Sequence, residues 1–145
     1  MRLAVLPVTS PEQWEGARAV RRRVFVEEQG VPEDLEWDEL DATAHHVVAL
    51  DGGEVIATGR LVALEPGIGR IGRMAVDAER RQQGVGRAIL TALEEAAAAR
   101  GLSHIILHAQ VQALGFYERC GYTVEGEAFD EAGIAHREMR KVLKQ

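Results

Sequence analysis

The sequence predicts a mixed α/β fold in which helices cover the faces of one central sheet. Two stretches with helical apolar spacing lie among runs of short apolar strands, and glycine or proline turns separate those strands. The resulting order, β-α-β-β-β-α-β-α-β-β, implies a mixed sheet with helices on its faces. At 145 residues the chain has the length of one ordinary domain, which we expect to span residues 1–145.

The first helix is predicted from its start signal. A first strand over residues 3–8 is followed by Ser10 as N-cap, Pro11 at the first helical position and Gln13 three residues after the cap. Apolar residues then recur at helical spacing, so the helix is expected to run to about Glu28.

Turn residues and apolar periodicity divide the rest of the chain. Glycine-containing turns separate strands predicted over residues 46–50, 55–64 and 68–76. A helix is predicted from about residue 85 until Gly101 closes it. The last predicted elements are a strand over residues 105–107, a short helix over 114–120, and strands near 122–125 and 136–142.

Composition narrows the choice of partners and compartment. The net charge of −6 argues against non-specific nucleic-acid binding, which depends on Lys and Arg neutralising phosphates. No apolar run approaches the length of a membrane span, and the N-terminus has no signal-peptide pattern. Cys120 is the sole cysteine, so no intramolecular disulfide can form. We therefore expect a cytoplasmic protein with no nucleic-acid or membrane partner.

The segment Gly84-Val85-Gly86 lies between a predicted strand and a predicted helix. Such a turn can direct several backbone N–H groups, and the positive end of the helix, at a pyrophosphate. Arg80, Arg81 and Arg87 add cationic side chains around the same point. The spacing fits neither a Walker A loop nor a dinucleotide-binding Gly-x-Gly-x-x-Gly sequence. A glycine-containing turn with no ligand remains the alternative.

Three motifs in order resemble the GNAT superfamily of N-acetyltransferases. They are Met74-Ala75-Val76, the pattern Arg81-x-x-Gly84-x-Gly86, and Ala113-Leu114-Gly115-Phe116-Tyr117-Glu118-Arg119-Cys120-Gly121-Tyr122. The resemblance covers nearly the whole chain. It implies a mostly antiparallel central sheet of about six or seven strands with helices on both faces. It also implies that the fourth and fifth strands splay apart to admit the pantetheine arm of acetyl-coenzyme A.

The resemblance further implies which residues bind acetyl-coenzyme A. They are Met74, Ala75, Val76, Arg81, Gln82, Gln83, Gly84, Val85, Gly86, Arg87, Gln110, Phe116 and Arg119. The amide of Met74 is expected to polarise the thioester carbonyl as an oxyanion donor.

Tyr117 and His136 are the catalytic candidates that the resemblance implies. Tyr117 takes the place of the general acid, and a phenol with a pKa near 10 suits a thiolate leaving group. Many relatives carry a glutamate base on the fourth strand, where this chain has Arg70. The tail resembles glyphosate-acetylating members, which place a histidine base where His136 stands. The alternatives are an aromatic packing role for Tyr117 and a structural histidine at a strand end.

The remaining polar residues are expected to be structural, apart from three candidates for the acceptor site. Residues 21–23, three consecutive arginines, are expected to form a solvated helix face, with one of the three as a candidate to face the acceptor pocket. The acidic segment 33–41 is expected to lie at the surface. Glu28, Asp41 and His46 are candidates for the acceptor site. No metal site is expected, and Cys120 is interpreted as an inert buried thiol.

The leading hypothesis is transfer of an acetyl group from acetyl-coenzyme A to a primary amine of a small-molecule acceptor. The attack would be direct, within a ternary complex. Two alternatives remain open: a non-catalytic module that binds acyl-coenzyme A, and a protein-lysine acetyltransferase. GNAT proteins often form homodimers, and the sequence neither supports nor opposes this.

Overall fold

A seven-stranded sheet organises residues 1–143, the part of the chain that the computed structural model describes. The strands are β1 (Leu3–Pro7), β2 (His45–Asp51), β3 (Glu54–Glu65), β4 (Ile68–Val76), β5 (His104–Gln110), β6 (Thr123–Glu131) and β7 (Ile134–Val142). Their order is β1-β2-β3-β4-β5-β7-β6, and β4–β5 is parallel while the other neighbours are antiparallel. This confirms the predicted mixed, mostly antiparallel sheet.

Four α-helices accompany the sheet within the described residues: α1 (Pro11–Arg21), α2 (Glu33–Glu36), α3 (Val85–Ala99) and α4 (Leu114–Arg119). Short 3₁₀ turns cover Glu39–Ala42, Ala78–Arg80 and Val111–Ala113. In the same range, no helix combines the length and the apolar character needed to cross a membrane.

The first helix begins as predicted but changes its hydrogen bonding. The Ser10 side chain accepts from the backbone N–H of Gln13 at 3.2 Å. From Arg22–Glu28 the chain is π-helical, and the N–H of Gln29 bonds the carbonyl of Val24 at 3.1 Å. Apolar spacing predicts a helix here but does not report this shift from i+4 to i+5 bonding.

Helices cover both faces of the sheet. On one face, Ile89 and Leu93 of α3 are fully buried in the main core, together with Ile71 of β4. On the other face, Val20 of α1 packs in a smaller cluster with Ala75 of β4. We call these the α3 face and the α1 face.

The three last strands are longer than predicted. β6 and β7 form a hairpin that turns at residues 132 and 133, both with positive φ. β6 is mostly exposed and carries few apolar residues, so its periodicity is weak. Pairing to β7 defines it as a strand, and that pairing is not visible in the local sequence.

β4 and β5 separate along their length, which confirms the predicted splay. Their parallel register runs from Ile68↔His104 to Ile71↔Leu107 and goes no further. Beyond this point β4 contains a bulge, because Thr58↔Ala75 and Arg60↔Gly72 leave two residues of β4 opposite one of β3. A gap therefore opens between the second half of β4 and the end of β5.

The expectation of a surface acidic segment and a solvated arginine face is wrong in part. Arg21 is 1% exposed and Glu36 is 3% exposed, with Nε of Arg21 2.7 Å from Oε2 of Glu36. Asp41 also pairs with Arg21, at 2.8 Å. The segment folds back onto the α1 face, where paired charges can be buried because each one has an oppositely charged partner.

Candidate active site

The predicted phosphate loop ends at the start of α3. Gly84 is the N-cap with φ +82°, and the first bond back along the helix joins the N–H of Ala88 to the carbonyl of Gly84 at 3.1 Å. The N–H groups of residues 85–87 therefore precede the intrahelical bonds and face the end of the helix. A Cβ added to Gly84 would meet no atom within 4 Å, so the loop is open on this side. This geometry fits a pyrophosphate group.

Two arginines predicted near the phosphate direct their side chains elsewhere. Arg81 forms a bidentate pair with Glu28, at 2.6 and 2.7 Å, and its Nε donates to the carbonyl of Val76 at 3.0 Å. Arg80 pairs with Asp51. Their guanidinium groups thus hold the loop against neighbouring elements.

Arg87 remains beside the open side of the loop. It is exposed and lines, with Gly84 and Val5, a groove of about 450 Å³ between α3 and β1. Gln82 has φ +65° and is exposed, like Gln83. These side chains border the loop without blocking it.

The three sequence motifs meet at the gap. A Cβ on Gly86 would lie 3.6 Å from Cζ of Phe116 and 3.8 Å from Cγ2 of Val76. The loop, the end of β4 and the first turn of α4 are therefore in direct contact. Ala75 faces Val20 on the α1 face, so its backbone alone borders the gap.

Gln110 and Arg119, the other two predicted neighbours of coenzyme A, lie on different elements and make different contacts. Nε2 of Gln110 donates to Oε1 of Gln29 at 2.8 Å, which links the end of β5 to the π-helical segment. Gln29 was not predicted, because its partner lies 81 positions away in sequence. Arg119 is exposed on α4 and lies back along its own helix near Gly115.

Tyr117 lies across the gap from β4. Its hydroxyl donates to Sδ of Met74 at 3.6 Å, although the two residues are 43 positions apart. Burial raises the pKa of Tyr117 to about 12, above the value near 10 expected from sequence. The phenol is therefore protonated at neutral pH and available as a proton donor.

His136 lies on β7, paired in register with Gln110 of β5. Its Nδ1 is 2.7 Å from the carbonyl oxygen of Ile134, so Nδ1 carries the proton and Nε2 is the basic nitrogen. Nε2 is 3.8 Å from Oε2 of Glu131, and the ring stacks on Phe129 at 6.0 Å. The tautomer thus suits a base that accepts through Nε2.

The contacts of His108 beside His136 are not predicted by the sequence. Nδ1 of His108 is 3.0 Å from Oε1 of Glu131, and its Nε2 is 3.4 Å from Oε1 of Glu138. Arg70, at the position of the common glutamate base, has Nη2 2.9 Å from Nδ1 of His108. These residues come from four strands, and only the sheet register brings them to one place.

The three acceptor-site candidates are engaged in internal contacts. Glu28 pairs with Arg81, and Asp41 with Arg21 and Arg60. Nε2 of His46 is 2.9 Å from the carbonyl oxygen of Asp41. Each therefore has a structural role.

Sequence and structure comparisons agree on the family. Residues 5–143 match the model described as an acetyltransferase (GNAT) domain. The chain is 44% identical over 131 residues to the uncharacterized N-acetyltransferase YjcF of Bacillus subtilis (strain 168), over 90% of this chain and 93% of that protein. A solved Lactobacillus plantarum protein is 36% identical with a TM-score of 0.91, covering 99% of this chain and 100% of that one. An acyl-CoA N-acyltransferase from Pseudomonas aeruginosa is 28% identical with a TM-score of 0.84, covering 96% and 99%. The chain belongs to the GNAT acetyltransferase family.

Proposed function

We propose that the protein transfers the acetyl group of acetyl-coenzyme A to a primary amine of a small-molecule acceptor, by direct attack in a ternary complex. The observation that carries this proposal is the contact between Tyr117 and Met74 at the point where β4 leaves β5. A proton donor and the predicted oxyanion donor thus border the same gap. Membership of the family supports acetyl transfer in general.

The donor site follows from the loop and the gap. The N–H groups of residues 85–87 would bind the pyrophosphate, since they lie at the positive end of a 15-residue helix. The pantetheine arm would lie along residues 74–76, at the edge of β4 that has lost its neighbour. The ring of Phe116 lies beside Gly86 and would border the pantetheine arm.

The reaction requires a neutral amine and a protonated leaving group. Nε2 of His136 would take the proton of the acceptor ammonium, and the amine would then attack the thioester carbonyl. A C–N bond forms and the C–S bond breaks, while the amide of Met74 donates to the developing oxyanion. The phenol of Tyr117 would supply a proton to the departing thiolate. An unperturbed phenol has a pKa near 10, close to that of the leaving thiol, and the burial that raises the pKa of Tyr117 to about 12 makes this proton transfer less favourable.

The test is thiol release from acetyl-coenzyme A with a panel of amino acids, polyamines, amino sugars and a lysine-containing peptide. Mass spectrometry of the products should show one acetyl group added to a small amine. Acetylation confined to the peptide would favour a protein-lysine acetyltransferase. Binding of acetyl-coenzyme A without release by any amine would favour the non-catalytic module.

A further inference from the structure

Arg73 lies in the bulge of β4, where β4 and β5 separate. Its φ is +51°, in the left-handed region that is unfavourable for residues with a Cβ. Glycine and asparagine are the residue types that adopt this conformation most readily, and neither stands here. A strained backbone residue beside a reaction site requires surrounding contacts that hold it in place.

The guanidinium of Arg73 is held by a buried segment. Its Nε lies 3.3 Å from both the carbonyl oxygen and Oε2 of Glu36. Its Nη2 donates to Oδ2 of Asp38 at 3.2 Å and to the carbonyl of Leu35 at 3.4 Å. Glu36 is itself fixed by Arg21 and is 3% exposed. The side chain of Arg73 is therefore anchored to a part of the α1 face that has little freedom to move.

The bulge decides which face each following residue of β4 presents. Ile71 packs in the core of the α3 face, whereas Ala75 packs in the cluster of the α1 face. In a regular strand these two residues, four positions apart, would share a face. The extra residue, Arg73, reverses the alternation and turns the side chain of Met74 to the α3 face, where it meets Tyr117.

We propose that Arg73 is a positioning residue for acetyl transfer. Its ion pairs with Glu36 and Asp38 hold the left-handed bulge that presents Met74 to the gap. The inference rests on the proposed function, because it matters to catalysis only where the thioester carbonyl lies beside Met74. Arg73 acts through the backbone and does not touch the donor.

The test compares Arg73→Ala with Arg73→Gly. Alanine removes the anchor and keeps the strain, while glycine removes the anchor but adopts the left-handed conformation freely. Calorimetry measures the Kd of each variant for acetyl-coenzyme A and for coenzyme A, which lacks the acetyl carbonyl. Arg73→Ala should raise the Kd for acetyl-coenzyme A about fivefold more than the Kd for coenzyme A, as expected for one lost hydrogen bond. Arg73→Gly should restore the ratio of the two Kd values to within about twofold of the parent.

Two results would overturn the proposal. One is an equal shift of the ratio of the two Kd values in Arg73→Ala and Arg73→Gly, and the other is no shift of that ratio in either variant. Thermal unfolding of each variant establishes that it is folded. If Arg73→Ala does not fold, Glu36→Gln weakens the anchor with Arg73 in place and should shift the ratio in the same direction. An unshifted ratio in Glu36→Gln would then count against the anchor. Failure of the proposed function differs from all of these, since the parent protein would then release no thiol with any amine, or would bind neither compound.

Discussion

Tyr117 shows how one side chain can serve packing and chemistry together. Its ring meets those of Phe116 and Tyr122 edge-on, at 5.0 and 6.0 Å, while its hydroxyl reaches Met74. The rings fix the direction of the hydroxyl, and burial keeps it protonated. Packing at this position therefore supports the role of proton donor.

Replacing Tyr117 by phenylalanine should lower turnover by about 10²–10⁴-fold, the usual contribution of general acid catalysis. The affinity for acetyl-coenzyme A should change little, because most of the packing survives. Tyr122→Phe is the matched control, since the hydroxyl of Tyr122 bonds Glu94 at 2.7 Å, away from the gap. Steady-state thiol release measures both variants. Turnover of Tyr117→Phe within about threefold of the parent, where chemistry limits the rate, would assign the acid role to another group.

His136→Ala should lower turnover and remove the rise of rate with pH that a neutral imidazole base produces. Binding of acetyl-coenzyme A should persist, because Nε2 faces Glu131 and not the phosphate loop. His104→Ala is the control, on the far end of β5 beside Ser103. The measurement is a pH–rate profile of thiol release. An unchanged profile would place the base elsewhere, with Glu131 and His108 next to be tested.

At the scale of elements, α3 has a glycine with left-handed backbone conformation at each end, and the two glycines have different roles. Gly84 has φ +82° at the phosphate loop, and Gly101 has φ +77° beyond the other end of the helix. A Cβ on either would meet no atom within 4 Å. The two positions therefore share a backbone conformation that would strain any residue with a Cβ, and they differ in their relation to the site.

Gly84→Val should abolish coenzyme A binding while the protein stays folded. Valine in the left-handed region costs about 1–2 kcal/mol or more, against a typical domain stability of about 5–15 kcal/mol. Gly101→Val should lose comparable stability and keep its affinity. Calorimetry with coenzyme A, paired with thermal unfolding, separates the two effects. Unchanged affinity in a folded Gly84→Val protein would contradict the assignment of the loop.

The segment after α1 is attached to the sheet by charge pairs. Arg60 donates to Asp38 at 2.7 and 2.9 Å and to Asp41 at 2.9 Å. Hydrogen bonds from Arg60, opposed by burial, lower the pKa of Asp38 to about 2. In Asp41 burial is outweighed by hydrogen bonds from Arg21 and Arg60, so its pKa is also lowered.

Asp38→Asn should lower the free energy of unfolding at pH 7 by about 1–2 kcal/mol, allowing for solvent screening of a partly exposed group. The pKa of Asp38 is lower in the folded protein, so its stabilisation is complete above the unfolded value of 3.8 and declines as pH falls toward 2. Urea unfolding at several pH values should show parent and variant converging below pH ~4. Asp34→Asn, at an exposed position of the same segment, is the control. A difference independent of pH would contradict the charge-pair explanation.

At the scale of the whole molecule, the gap divides the sheet into two parts joined at Ile68–Ile71 of β4 and by the helices. Glu94 of α3 connects them further, because it accepts from both Tyr122 and Lys141. A ligand lying in the gap would contact both parts. Its binding should therefore be seen in the stability of the entire fold.

Coenzyme A at about 100 times its Kd should add about 2.7 kcal/mol to the stability and raise Tm by about 6–11 °C. Thermal unfolding monitored by circular dichroism measures the shift. Pantetheine at the same concentration lacks the pyrophosphate and should give a smaller shift. Equal shifts would argue that the loop of α3 makes no contact with the phosphates.

Local signals in the sequence determined the family, the fold class and the loop. The capping serine, the apolar stripe of α3 and the glycine pattern each act over a few residues, and short-range physics suffices to predict them. The candidate residues Tyr117 and His136 were also named from local motifs. The predicted ends of strands such as β6 were wrong, because pairing with a neighbouring strand defines where such a strand begins and ends.

Tertiary structure decided every contact that joins distant segments. Arg81 turns to Glu28, the acidic segment is partly buried, and His108 joins Glu131 beside His136. Arg73 adopts a left-handed bulge that no residue preference would predict. Side-chain direction in a sheet depends on register, and one extra residue in β4 reverses it. Register is a property of paired strands, so the arrangement of the site is specified by the fold as a whole.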